Sequence, residues 1–244
     1  MTIRRRTNRT GGPRVAHPEV HRSGRGQWLR AAVLGSDDAI VSTSSLMIGI
    51  SASSASQGAI LIAGVAGLVA GSMSMAVGEY VSVSSQRDAE HADVERETRE
   101  LAGEPDAELT ELTSIYVQRG LDVELAHRVA VQLSARDRLG AHLRDELGID
   151  PSALAQPLQA AWISAVSFAL FAAVPIGALV VAPAGLRIPV IAAVSLVSLA
   201  VLGAVGGHLG GAPLGRAALR VSVGGALAMA VTAAIGRLVG VSLG

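Results

Sequence analysis

The chain has 244 residues, half of them hydrophobic, with no cysteine and a formal net charge of zero. The absence of Cys excludes disulfides, thiolate-ligated zinc, iron–sulfur clusters and thiol catalysis, so a metal can be held only by carboxylate, imidazole, thioether or backbone. Aromatic residues make up 2% of the chain against 28 glycines, a balance that suits helices packed in lipid, where small residues let backbones approach, better than the core of a soluble domain.

The zero net charge hides a segregation. Residues 1–30 hold eight Arg and one Glu, whereas residues 86–150 hold sixteen of the twenty acids and eight Arg, a local charge near −8. The opening segment, residues 1–27, is polar, Arg-rich and broken by Gly and Pro, and reads as a disordered cytoplasmic tail. Between residues 31 and 78 the only charges are Asp37 and Asp38. A polar dip at 51–57 divides this stretch into two spans, about 30–50 and 58–85, each long enough for a bilayer that needs about 20 residues. The acidic segment follows, with turn signals at Gly103-Glu104-Pro105-Asp106, Gly120-Leu121-Asp122 and 148–151, and with Asp106 as the expected N-cap of a helix starting near Ala107. Apolar runs at about 158–182, 188–210 and 217–241 complete the chain.

The expected architecture is therefore all-α: a polytopic membrane protein with five transmembrane helices and a helical insert between spans 2 and 3. Its parts are the tail (1–27), spans 1 and 2 (28–86), the acidic domain (87–150) and spans 3–5 (151–244). With the N-terminus inside, the tail, the insert and the loop between spans 4 and 5 hold eighteen Arg, against Arg187 and Arg237 outside, as the bias of basic residues towards the cytoplasm requires. A rival reading, a twin-arginine signal at Arg4-Arg5-Arg6 with a cleavage site within 51–56, places the Arg cluster too far from an apolar run that itself carries two Asp.

Three groups of residues carry chemistry. Asp37 and Asp38 lie about two turns into the first span; they either sit wet at its mouth or line a polar path, because a carboxylate in lipid is costly unless it faces a cavity or an ion. Ser42 and Ser45 follow Asp38 at i+4 and i+7. In the second span Met75 and Glu79 share a face; thioether with carboxylate suits a borderline ion such as Fe²⁺ better than Mg²⁺ or Ca²⁺, while Met73 reads as packing. In the insert, Glu97 with Glu100 and Glu108 with Glu111 are three apart, and Glu146 follows His142 by four, so each pair shares a helix face. These acids form either a solvated surface or, brought together, an oxygen-rich metal site. Glu124-Leu125-Ala126-His127 is half of a di-iron motif without a second copy. Three Gly-x-x-x-Gly pairs, at 67/71, 203/207 and 236/240, are either helix-packing faces or the chance matches expected in a chain so rich in Gly.

Gly35-Ser36-Asp37-Asp38-Ala39-Ile40, the run AGSMSMAVGEYVSVSSQ at 70–86, Glu146-Leu147-Gly148 and AIGRLVG at 234–240 resemble the vacuolar iron transporter family of plants, yeast and many bacteria. The resemblance covers roughly residues 27–243. It implies a homodimer of five-helix subunits in the lipid of the plasma membrane, a cytoplasmic three-helix metal-binding insert, and export of Fe²⁺, also Mn²⁺, in exchange for protons. No resident cofactor, no catalytic residue and no nucleic-acid partner are implied. The family's pore aspartate falls on Asp38, its pore methionine on Met75 and its metal-domain glutamates on Glu97, Glu100, Glu108, Glu111 and Glu146. The sequence departs at Gly67, where plant members carry a glutamate, and at His142-Leu143, which replaces a methionine pair; His142 remains a possible ligand, and Glu79 lies near the cytoplasmic entrance. The alternatives are a membrane-anchored iron-binding or sensing protein without flux, and a ferroxidase.

Overall fold

The computed structural model describes residues 26–150 and 153–243, and all of its regular elements are helical. The expected tail lies outside the described residues up to residue 25. In chain order the helices are α1 (Gly26–Ala52), α2 (Gln57–Gly103), α3 (Pro105–Gln118), α4 (Val123–Asp145), α5 (Pro157–Val181), a 3₁₀ turn (Ala184–Leu186), α6 (Arg187–Gly210) and α7 (Leu214–Leu243). Four of them, α2, α5, α6 and α7, are long and apolar enough to cross a membrane. The first expected span, α1, is not among these four, and it carries Asp37, Asp38 and the polar run Ser42-Thr43-Ser44-Ser45.

α1 is nevertheless the helix around which the bundle forms, since it touches α2, α5, α6 and α7. Its buried face holds Ala39, Ile40, Met47 and Ile48; the last two meet Ile60 of α2, Leu179 of α5, Ile191 of α6 and Met229 of α7 in one apolar cluster. Lipid tails are as apolar as leucine, so burial drives little association between such helices and close backbone contact has to substitute for it. The glycine pairs supply that contact. A methyl group at Gly236 would collide with the backbone of Gly49, and one at Gly240 with that of Ser53 2.8 Å away, while Gly203 and Gly207 press on Ala217 of α7. All three pairs contribute to packing, because Gly71 likewise receives the ring of Phe168 and Gly67 lies against Leu46. Because Gly225 meets Val41, Gly49 meets Thr232 and Gly240 meets Ser53, α1 and α7 run parallel.

α2 is the longest element, at 47 residues, or about 70 Å at the helical rise, more than twice the hydrocarbon thickness. The Ser56 hydroxyl accepts from Ala59 N and caps its start. Its apolar half ends where charges begin, at Glu79 and then Arg87, and the remainder continues as the first helix of the acidic insert. α3 and α4 pack on each other and against this extension around Leu112, Tyr116, Ala126, Ala130 and Ala141. Helix α3 starts earlier than expected. Pro105 occupies the first position with Glu104 as cap, and Asp106 stands inside the first turn, because proline's fixed φ and missing N–H suit the first helical position. α4 is capped by the Asp122 carboxylate and broken at Asp137, whose backbone is extended (φ −159°, ψ 84°) and whose side chain accepts from Gly140 N as the cap of a second segment. The return to α5 is tied down where Glu90 Oε2 accepts from Ala155 N at 3.0 Å.

The α1–α7 crossing is the contact most exposed to a single change. Gly236→Ala is expected to lower the thermal midpoint of the detergent-purified protein by several degrees, for a cost of about 1–3 kcal/mol, since the obstructing atoms are backbone. Gly224→Ala, where nothing lies within 4 Å, leaves the midpoint unchanged or raises it.

Candidate metal centre and membrane groove

Four side chains from three helices converge in the insert: Glu97 of the α2 extension, Glu108 in the first turn of α3, His142 near the end of α4, and Glu146 at its C-cap. One ligand atom from each lies within 4.8 Å of all the others. His142 Nδ1 is 3.0 Å from Glu97 Oε1, 3.0 Å from Glu146 Oε2 and 3.8 Å from Glu108 Oε2. His142 is fully buried, Glu97 is 2% exposed and Glu108 8%, while the Glu146 side chain, at 24%, opens to solvent. Glu97 Oε1 and His142 Nε2 are buried without a hydrogen bond. Buried polar atoms are ordinarily paired, so Glu97 Oε1, which faces His142 Nδ1, is an atom that a cation among the carboxylates would satisfy, whereas His142 Nε2 is not on that side of the ring.

Electrostatics agree. Burial, and then the charges of Glu146, Glu108 and Glu100, push the Glu97 carboxyl up to about 7, with His142 opposing. Glu108 is raised by burial and by Glu111, Glu100 and Glu146, again against His142. Like charges this close cannot all stay ionised without a positive partner. Glu100 and Glu111 stand outside the four-donor knot but line the same cleft as Glu97, Glu108 and Glu146, so the five glutamate candidates of the insert share one cleft, and His142 meets three of them at its buried end. Of the His142-Leu143 pair only His142 reaches the centre; Leu143 is 2% exposed and packs inside the insert. His127, the half-motif candidate, is not among the four grouped donors.

The membrane half shows a second feature. Asp38, Ser42 and Leu46 of α1 face Gly67, Gly71, Ser74 and Met75 of α2 across a groove floored by Phe168. Asp38, Ser42 and Leu46 recur every four residues on an exposed stripe, so the groove lies on the outside of the single subunit. Ser42 donates to the Asp38 carbonyl at 2.6 Å. Ser45 is buried and lines the α1–α7 side instead. The two aspartates part company: Val33 abuts Gly206 of α6 and Val41 abuts Gly225 of α7, which turns Asp37, midway on the same stripe, towards α6 and α7. Its Oδ1 is buried without a hydrogen-bond partner. Met75 packs with Phe168, Ala39 and Ala172 while lining the groove. Met73 is 62% exposed on the outer face rather than filling a gap, and Glu79, half-buried, lies one turn beyond Met75 and outside the groove lining.

A bundle of apolar helices carrying an acidic helical insert with clustered metal donors defines a polytopic integral membrane protein of the ion-handling class. The chain belongs to the VIT family, whose model matches residues 29–237. It is 48% identical over 225 residues to a vacuolar iron transporter of Acanthamoeba castellanii, covering 90% of this chain and 82% of that protein. It is 41% identical to vacuolar iron transporter homolog 2 of Oryza sativa, over 88% of this chain and 92% of that one, and 38% identical to vacuolar iron transporter homolog 3 of Arabidopsis thaliana, over 89% and 86%.

With Glu97 titrating at about 7, a divalent ion entering below that pH has to displace a proton. Affinity for Mn²⁺ is expected to rise with pH by up to about tenfold per unit until about 7 and then to level off; calorimetric titration of the full-length protein from pH 5.5 to 8 measures this, and Glu97→Gln lowers the affinity and flattens the slope. The ion-free protein runs the other way. Its folded form holds a proton that the unfolded chain has released, so stability falls as the pH rises from the ordinary glutamate range through about 7.

Proposed function

We propose that the protein exports a divalent metal ion, Fe²⁺ and also Mn²⁺, from the cytoplasm in exchange for protons, acting as a transporter and not as an enzyme. The observation that carries this reading is the convergence of Glu97, Glu108, His142 and Glu146 on the helix that also carries Met75 of the membrane groove, in a chain whose relatives are named vacuolar iron transporters. Three carboxylates and one imidazole form a hard-to-borderline donor set suited to Fe²⁺ and Mn²⁺.

In this reading α1 is a fifth span and the bundle is a homodimer, with the outward-facing Asp38–Met75 grooves of two subunits apposed around the ion path. The order of spans is supported by two contacts: Arg187, opening α6, donates to Gln57, opening α2, at 3.1 Å, and α1 and α7 end together. With the Arg-rich N-terminus inside, the insert (87–150) lies in the cytoplasm, between spans 1–2 (28–86) and spans 3–5 (151–244). Its carboxylates, Glu100 and Glu111 included, raise the local cation concentration at the pore mouth. The ion passes Glu79, then Met75 and Asp38, each holding it weakly enough to let go. Protons entering from the far side neutralise Asp38 and, on the other face of α1, Asp37, and so favour release.

Flux into proteoliposomes tests this. Purified protein with an outwardly facing insert is expected to carry Fe²⁺ and Mn²⁺ into vesicles holding a trapped metal-sensitive dye, faster with an acidic lumen, and Asp38→Ala is expected to reduce the rate at least about tenfold. Binding without flux under any gradient would leave a metal-binding membrane protein and end the transport reading; Asp38→Ala flux equal to that of the unsubstituted protein would remove Asp38 from the path.

A further inference from the structure

The geometry points to a positioning role for Tyr116, Arg119 and Asp145: together they hold Glu146 in the metal centre without touching the ion. The inference rests on the reading of Glu97, Glu108, His142 and Glu146 as a metal site.

The segment carrying His142 and Glu146 is not held by helix continuity. Asp137 interrupts α4, so the last turns form a short helix of their own, started by the Asp137 cap on Gly140 N. Its far end is a turn in which Glu146 N and Leu147 N both donate to His142 O, Ile149 N donates to Leu143 O at 2.7 Å, and Gly148 takes φ +67°. Glu146 projects from that turn and is the most open of the four ligands. Its negative charge is among those pushing Glu97 and Glu108 up. Without an ion it is repelled by both and has open water to turn into.

Three contacts oppose this. Tyr116 OH donates to Asp145 Oδ2 at 2.7 Å, Arg119 Nη1 donates to Asp145 Oδ1, and Arg119 Nη2 donates to the Asp145 backbone carbonyl at 2.6 Å. The guanidinium also lies over the Tyr116 ring, 5.7 Å from its centre. The carbonyl contact is the informative one, because that oxygen belongs to the peptide plane joining Asp145 to Glu146. Fixing that planar peptide fixes Glu146 N and Cα, and with Glu146 N also donating to His142 O it narrows the directions in which the Glu146 side chain can leave the backbone. The grip is anchored well: Tyr116 is 6% exposed and packs with Leu112, Ala126 and Ala130. α3 thus carries Glu108 in its first turn and the clamp in its last, so it sets the spacing of two ligands that sequence places 38 residues apart. Asp145 itself is fully committed. Burial would raise its carboxyl, but the Tyr116 and Arg119 hydrogen bonds and the Arg119 and Arg144 charges prevail and hold it below the usual range. Partners that orient a ligand commonly matter nearly as much as the ligand.

Calorimetric Mn²⁺ titration of full-length protein in detergent tests this with Tyr116→Phe, which keeps the ring in the core, and Arg119→Gln, each alone and combined with Glu146→Gln. Both variants are expected to weaken Mn²⁺ binding about tenfold when Glu146 is present and to add nothing when it is already Gln; Arg119→Lys, which reaches one acceptor instead of two, recovers part of the loss. Equal losses in both backgrounds would mean a general weakening of the fold and overturn the inference, as would unchanged affinity in both variants, while weakened but measurable binding in Glu97→Gln and Glu146→Gln would keep the metal centre itself standing. If the unsubstituted protein binds no Mn²⁺, the metal centre and its clamp fall together.

Discussion

The constraint on which the rest depends is the continuity of α2. One helix carries the groove residues Gly67, Gly71 and Met75 and, without a break, Glu97 of the candidate metal centre. Met75 and Glu97 are 22 residues apart in sequence, which along a straight α-helix is about 33 Å and leaves the two side chains only about 40° apart around the axis. The membrane groove and the metal centre therefore occupy nearly the same side of a single rod. No linker separates them along α2, which is helical throughout. The second connection, from α4 to α5, is tied to the same rod by Glu90, whose other carboxylate oxygen is engaged by Gln86 at 2.8 Å.

The two halves of that rod are stabilised by different physics. In the insert, which is polar and highly charged outside, Leu112, Tyr116, Ala126, Ala130 and Ala141 form a small core of the kind water drives together. A core of this size leaves much of the geometry to caps and polar clamps, and the insert is rich in both: Asp122 and Asp137 start helical segments, and Tyr116 and Arg119 hold the end of one. In the apolar bundle that drive is missing. Gly–backbone contacts at Gly49 with Gly236, Ser53 with Gly240 and Ala217 with Gly203 bring main chains together instead, and α1 buries Ser36, Thr43, Ser44 and Ser45 among four neighbours rather than showing them to lipid. That accounts for a helix too polar to count as a span by composition lying at the centre of the apolar bundle.

These differences decide what could be read from the sequence. The helix order, the division near 51–57, the turns around Gly120 and Gly148 and the pairing of Glu97 with Glu100 and Glu108 with Glu111 on common faces follow from local periodicity, and local periodicity survives folding. Spacing alone does not separate a glycine packing face from chance in a chain with so many glycines; the discriminating fact is a backbone atom across the interface. Likewise, adjacent residues on a helix diverge by 100°, but only the positions of α2, α6 and α7 reveal that Asp38 meets the groove and Asp37 the opposite side. α3 starts at Pro105 rather than near Ala107 because proline's fixed φ at the first helical position outweighs the capping tendency of Asp106. The Asp137 break and the clamp from Tyr116 and Arg119 to Asp145, bridging 29 and 26 residues, carry no local signature beyond an Asp three residues before a Gly.

In the proposed reading the cluster gives its ion up, and the donor set suits that. Three carboxylates with a neutral imidazole leave a divalent cation with a net charge of about −1, whereas a fourth carboxylate would deepen the well and slow release. The position next to His142 is filled by Leu143, buried in the insert, so no second side chain from that pair competes for the ion. A thioether at 142 would be softer and would bring no charge–dipole attraction comparable to that of imidazole, tilting preference towards Cu⁺ and away from Fe²⁺ and Mn²⁺. Histidine in that place keeps the centre borderline, and burying its ring completely against Glu97 and Glu146 fixes which nitrogen faces the carboxylates. On the proposed reading, selectivity rests on the spacing of the oxygens around that nitrogen, and the spacing is set by helices α2, α3 and α4 meeting at one point.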